Sequence, residues 1–190
     1  MPREFVIFSG VCRAEGSGGC SFVTGPRTEN VGGPPSERKV QAGELVLLDF
    51  STIIGRYRAD FANTHVCAGK PTARQLEMYH ACLEAMAAGE KKLKAGALAR
   101  DVDRAVRQVF ESKHLSEYFP HHAGHGIGLG HPEAPYLVPE SGDTLVAGDV
   151  VTLEPGLYIK GQGGMRFERN YLITDSGYEL LSKHKLTLEA

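Results

Sequence analysis

No two of the four cysteines, Cys12, Cys20, Cys67 and Cys82, stand in a C-x-x-C pair. That spacing excludes a zinc knuckle and a thioredoxin-like motif, and fits reduced thiols in a cytosol. An excess of one charge is also lacking: 21 basic and 23 acidic residues give a net charge of -2 and a pI near 6.4. Such a balance leaves no electrostatic footprint for nucleic acid or an anionic membrane, and makes small molecules or peptides the better partners. Long apolar runs are missing too. The opening "MPREFVIFSG" is too short for a signal-peptide core or a membrane span, and nothing later approaches about 18 apolar residues. A soluble, cytoplasmic protein is therefore expected. Internal repeats and low-complexity tracts are absent, and 190 residues suit a single domain spanning 1–190.

Short β-like runs open the chain at 4–10 ("EFVIFSG") and 20–25 ("CSFVTG"), around the glycine-rich "EGSGGC", before a loop at 28–36. The apolar "GELVLLDF" (43–50) suits a buried strand, and "RYRADF" (56–61) alternates as its partner would. Helix signals follow, with Thr72 as N-cap and Leu76, Tyr79, Leu83, Met86 and Leu93 at near-helical spacing. A second helix is predicted over 98–112, with Val102, Ala105, Val106 and Val109 on one face. The end of the chain is β-rich: 149–159 and 165–174 read as strands joined through "KGQGG", and "YELLS" closes the sheet.

Carboxylates in strand positions are the anomaly. Asp49 ends the most apolar segment, where an ionised group needs a partner. A hairpin turning at Ile54 and Gly55 would set Asp49 opposite Asp60, and like charges so placed repel or hold a proton. A second turn near Gly161 would bring Glu154 opposite Glu168. A bound cation resolves both conflicts. Between the two hairpins lies "HHAGHGIGLGHPEAPYL" (121–137), with His121, His122, His125 and His131. Four carboxylates with at least one imidazole suit manganese, cobalt, iron or zinc, and can bridge two ions. Taken singly, each acid is more often an ordinary surface charge; the joint pattern is what points to metal.

"LLDFSTIIGRYRADFANT", "GHGIGL", "TLEPGLYI" and "GMRFERNYLIT" resemble, in order and spacing, the pita-bread metallopeptidases: methionine aminopeptidase, aminopeptidase P, prolidase and the related creatinase. The resemblance covers roughly 20–183 and is nearest the aminopeptidase P and prolidase branch. It implies an α+β pita-bread fold, a curved antiparallel sheet with helices on its outer face. It also implies two divalent ions, manganese or cobalt foremost, with zinc or iron as alternatives. By the same resemblance Asp49 binds one ion and Asp60 bridges both. His125 and Glu154 bind the other, Glu168 bridges, and Arg166 fixes a ligand carboxylate. The implied reaction is cleavage of the N-terminal peptide bond of short Xaa-Pro peptides by a hydroxide between Asp60 and Glu168, with Glu154 passing the proton.

The sequence also departs from the family pattern. Val31, Gly32 and Gly33 stand where a loop histidine is usual, and Pro132 occupies the position of a second one, with His131 one residue early. A one-residue shift on an extended segment turns a side chain to the other face unless the backbone bulges. Arg169 replaces an acidic residue. His121 is a candidate substrate contact, and His121, His131 and Glu154 are the catalytic candidates; His122 is expected to point away as a structural residue, and Tyr158 to be core packing. His65, His80, His114 and His184 are expected to be ordinary histidines. Residues 1–42 are read as a divergent or truncated N-terminal part, and without the helices that usually open the domain one sheet face would be uncovered, so a partner chain, a homodimer foremost, or poor solubility alone is expected. Two alternatives stay open: a hydrolase of another small amide or amidine on the same fold, and a catalytically weakened relative that serves as a binding module.

Overall fold

The computed structural model describes residues 17–33 and 36–189; the run at 4–10 and Cys12 lie outside them. Strand β1 (Ser17–Thr24) pairs with β2 (Leu45–Ile54), and β2 with β3 (Tyr57–Val66), in one antiparallel sheet. The β2–β3 register differs from the expectation. Ser51, not Asp49, lies opposite Asp60, and Asp49 faces Ala62. The reason is the turn, whose central residues are Gly55 and Arg56, both at positive φ, instead of Ile54 and Gly55. A two-residue hairpin turn needs φ > 0 at both centres, which glycine supplies freely. The correction is an even shift of two residues, so Asp49 and Asp60 keep a common face as diagonal neighbours.

Helix α1 (Ala73–Glu90) starts at Thr72, whose hydroxyl accepts from the Gln75 backbone N–H at 3.2 Å while the Gln75 side-chain Oε1 accepts from the Thr72 N–H at 2.8 Å. This reciprocal capping fixes the entry of the helix. Its buried face is Met78, Ala81, Cys82, Ala85, Met86 and Gly89, so the apolar stripe is rotated from the one expected: Leu76 is exposed and Leu83 is only partly covered. The small residues permit close packing, and a Cβ on Gly89 would come within 3.0 Å of Val106. Helix α2 (Ala99–Ser112) buries Val102, Ala105, Val106 and Phe110 against it, with Val109 packed at the margin.

The later strands are β4 (Gly124–Gly126), β5 (Glu133–Leu137), β6 (Val150–Leu153), β7 (Gly156–Ile159), β8 (Gly163–Arg166), β9 (Arg169–Ile173) and β10 (Tyr178–Leu180). They form an antiparallel sheet in the order β10-β9-β6-β4-β5 and a β7-β8 ribbon. The register flanking Glu154 and Glu168 is the one expected: Leu153 lies opposite Arg169 on one side and Gly156 opposite Arg166 on the other. Between these pairs the backbones separate. Glu154 N–H donates to the Ala123 carbonyl and Glu168 N–H to the Ala62 carbonyl, each at 2.9 Å. Those two bonds tie the pieces of sheet together at the two glutamates. Alternation then divides the faces: Leu157 and Met165 join α1 and α2 in the main core, while Tyr158 and Arg166 turn to the opposite side. The architecture is α+β, as expected.

Candidate metal centre

On that side a cleft of about 280 Å³ collects residues from five strands and the connections between them. Asp49 enters from β2 and Asp60 from β3. Glu154 and Glu168 come from the two breaks just described. Oxygen atoms of Asp49, Asp60 and Glu168 lie within 4.8 Å of one another. Asp60, Glu154 and Glu168 are buried, and Glu168 is only 1% exposed.

The glycines of "GHG" are required where His125 is held. A Cβ on Gly124 would stand 2.0 Å from the Thr152 carbonyl oxygen, and one on Gly126 would stand 2.3 Å from that of Ala134. Only glycine lets β4 lie that close to its neighbours. The His125 Nδ1–H donates to the Gly126 carbonyl at 2.8 Å, which leaves Nε2 bare and facing the carboxylates. That nitrogen is 3.6 Å from Glu154 Oε1 and 3.9 Å from Asp60 Oδ2. Burial lowers the His125 pKa, favouring the neutral ring that a cation can use.

His131 faces the cleft despite its shifted position. Gly130 N–H donates to the Glu133 carboxylate at 2.6 Å, and the β4–β5 register slips between His125 and Gly126. The irregularity brings His131 Nε2 into hydrogen-bond contact with Asp60 Oδ2. His122 corrects a second expectation. Its ring does not point away, and Nε2 lies 2.7 Å from Glu154 Oε1. Residues 121–123 form a bend before β4, so the alternation of an extended strand does not apply. His121 Nδ1–H donates to the His122 carbonyl at 2.8 Å, and its Nε2 accepts from the Tyr158 hydroxyl at 3.0 Å. The bend is anchored from α2, where Arg107 bonds buried Asp103 and donates to the carbonyls of Phe119 and His121.

Tyr158 likewise does more than fill the core. Its hydroxyl accepts from Arg166 Nη1 at 2.6 Å and hands its own proton toward His121. Arg166 also donates to the Val31 carbonyl at 2.7 Å and to Asp49 Oδ2. The loop that lacks the usual histidine thus supplies a backbone acceptor. His65 and His184 lie elsewhere, the latter packed on Phe61, and neither they nor His80 and His114 line the cleft.

Electrostatics sets the problem a ligand must solve. Among the described residues lining the cleft, the only guanidinium is Arg166, against four carboxylates. Burial, then the charges of Glu154, Asp60 and Asp49, push the Glu168 carboxyl well above its usual range. Burial likewise raises Asp49 to about 6, against the pull of Arg166. Glu154 is also desolvated, but the hydrogen bond from His122 and the charges of His122, His121 and Arg166 outweigh that and bring it to about 2. Asp60 Oδ1 and Glu168 Oε1 are buried without a hydrogen-bond partner. Buried carboxylate oxygens with neither a donor nor a matching charge are costly unless a cation sits among them. The oxygen-rich donor set with His125 fits divalent metal ions.

The sequence matches the model of metallopeptidase family M24 over residues 6–175. An uncharacterised peptidase of Staphylococcus aureus strain USA300 is 35% identical over 153 residues, covering 80% of this chain and 43% of that protein. Among solved structures, the prolidase from Pyrococcus horikoshii OT3 is similar at a TM-score of 0.86 and 33% identity, over 89% of this chain and 48% of that one. A Xaa-Pro dipeptidase from Bacillus anthracis has a TM-score of 0.86 and 36% identity, over 92% and 50%. An X-Pro aminopeptidase from Thermotoga maritima MSB8 has a TM-score of 0.88 and 30% identity, over 92% and 49%. The chain thus spans about half the length of the proteins it resembles.

Proposed function

The chain belongs to metallopeptidase family M24 and has its pita-bread fold, and on that premise we propose that it is a dinuclear-metal hydrolase cleaving the N-terminal bond of short Xaa-Pro peptides, as a dipeptidase or aminopeptidase. The observation that carries this reading is the convergence of Asp49, Asp60, Glu154, Glu168 and His125 on one cleft with, among the described residues, a single guanidinium. On this reading Asp49, Asp60 and Glu168 would hold one ion, and His125, Glu154, Asp60 and Glu168 the other. Two bound ions would supply activation of water at neutral pH and charge to balance a developing oxyanion.

The protein's own groups do the rest. Asp60 and Glu168, unpartnered on one oxygen each, present the shared positions. Arg166 holds Asp49 in orientation and keeps it ionised against its burial. Glu154 passes a proton toward the leaving nitrogen, His122 and His125 being the groups near its carboxylate. His131 is placed to donate to the substrate carbonyl once Asp60 is occupied, a contribution of about 100- to 1000-fold in kcat for one such donor. His121, oriented by Tyr158, lines the substrate side.

Metal-depleted protein reloaded with manganese or cobalt should cleave Xaa-Pro dipeptides or longer Xaa-Pro peptides. Asp60→Ala should abolish that turnover. Intact peptides in the presence of calorimetrically demonstrated bound ions would sink the peptidase reading and leave the metal centre standing. A second reading, hydrolysis of another small amide or amidine, is favoured by one feature: Val31, Gly32 and Gly33 bring no imidazole to the cleft beside Arg166.

A further inference from the structure

The roles given above leave the imidazole of His122, which also lines the cleft, without one of its own. Its Nε2 lies 2.7 Å from Glu154 Oε1, and the bare Nε2 of His125 lies 3.6 Å from that same oxygen. All three atoms fall within 4.8 Å of one another. Donor atoms each about 2.1 Å from a shared ion stand roughly 3.0 Å apart at octahedral angles and about 3.4 Å at tetrahedral ones. The two separations bracket that range. A histidine that only oriented Glu154 from outside would approach the oxygen turned away from His125, whereas this ring meets the oxygen facing it.

We propose that His122 supplies a second imidazole nitrogen to the ion held by His125 and Glu154, so that this position is a two-nitrogen site selective for zinc, cobalt or nickel over manganese. The inference rests on the metal reading of the cleft but not on the peptidase reading. Imidazole favours zinc, nickel and copper, whereas carboxylate and water suit manganese, so each exchanged donor changes selectivity as well as affinity. On binding, the proton shared between His122 and Glu154 leaves to solvent and the ion takes its place. Preorganisation is already built in: the His122 carbonyl accepts from His121, and Arg107 pins the His121 carbonyl to α2. Partial exposure of the ring, 37%, leaves a route for the ion to enter.

The test uses the metal-depleted full chain, His122→Gln and His122→Ala, each titrated with zinc and with manganese. X-ray absorption at the zinc edge, with one equivalent bound, counts imidazoles. Glutamine can still donate to Glu154 but offers no ring nitrogen, so it separates ligation from positioning. Both variants should lose at least about tenfold of the zinc-over-manganese preference and one imidazole from the zinc shell. If His122→Gln keeps the parental preference and imidazole count, His122 is a hydrogen-bond donor to Glu154 and the proposal is wrong. Failure of the parent chain to take up zinc would overturn it together with the metal reading. Loss of peptide cleavage alone, with selectivity and shell intact, would overturn only the peptidase assignment.

Discussion

Replacing Glu168 by glutamine should make the metal-free protein more stable while crippling its metal binding. Glu168 is 1% exposed, has one oxygen without a partner, and lies within 4.8 Å of the oxygens of Asp49 and Asp60. Arg166 answers Asp49, which leaves the repulsions from Glu154 and Asp60, and the one from Asp60 taken alone gives a lower scale for the cost. At an effective dielectric of about 20, two unit charges 4.8 Å apart cost roughly 3.5 kcal/mol. Partial protonation relieves some of this, leaving a penalty of about 2 kcal/mol in the metal-free protein at pH 8. The sign follows from the raised folded pKa. Stability from the neutral carboxyl is present in full below the ordinary 4.5 and is lost as pH rises through the folded value. Urea unfolding in chelator should therefore show Glu168→Gln ahead of the parent at pH 8, with the gap closing toward pH 5. Added ion at 100 times its dissociation constant stabilises the parent by about 2.7 kcal/mol per site and should reverse the order. A variant no more stable than the parent at pH 8 in chelator, or a gap independent of pH, would refute the claim that these carboxylates oppose folding until a cation arrives.

Further outcomes are expected elsewhere. Arg166→Met removes the partner of Asp49 and orphans the Val31 carbonyl, and should cost roughly 3–5 kcal/mol in the metal-free protein by urea unfolding; a loss under 1 kcal/mol would contradict that role. His131→Ala should lower kcat by about 100-fold or more with a smaller change in KM, read by steady-state kinetics on an Xaa-Pro dipeptide; unchanged kcat would remove His131 from the reaction. Thr72→Ala should destabilise the protein by about 1 kcal/mol without altering metal content, since neither Thr72 nor Gln75 lines the cleft.

What the sequence made legible follows from which physical constraints are local. Capping by Thr72, the strand character of 45–54 and the register on either side of Glu154 and Glu168 each rest on periodicity or turn chemistry within a few residues, and each has its counterpart in the structure. The β2–β3 register was one place out at the turn centre, because Ile54-Gly55 and Gly55-Arg56 are both plausible pairs, and an arginine at positive φ leaves no mark in composition. The error did little harm at the site, since an even shift preserves the face. The stripe on α1 differs from the expectation for another reason: beside Met78 and Met86 its buried face carries alanine, glycine and cysteine, and hydrophobicity alone ranks the larger, exposed Leu76 above those small residues.

The histidines mark where alternation stops being a guide. Tyr158 was recoverable, because it shares the parity of Glu154 along the same strand run and lies opposite Gly164, diagonal to Arg166. A tyrosine on the polar face of a break between strands needs a partner for its hydroxyl, which argues against plain packing. His122 was not recoverable in that way. Its orientation is set by α2 through Arg107 and by the bend at 121–123, contacts that reach across 14 residues and obey no short period. His131 belongs with it: the slip in β4–β5 register and the Gly130–Glu133 turn decide where its ring goes. Ligand positions on regular strands can thus be read from parity, while those on the turns feeding them depend on what grips the turn. His131, one residue early against the family pattern, and His122, three residues before His125, both sit on such turns.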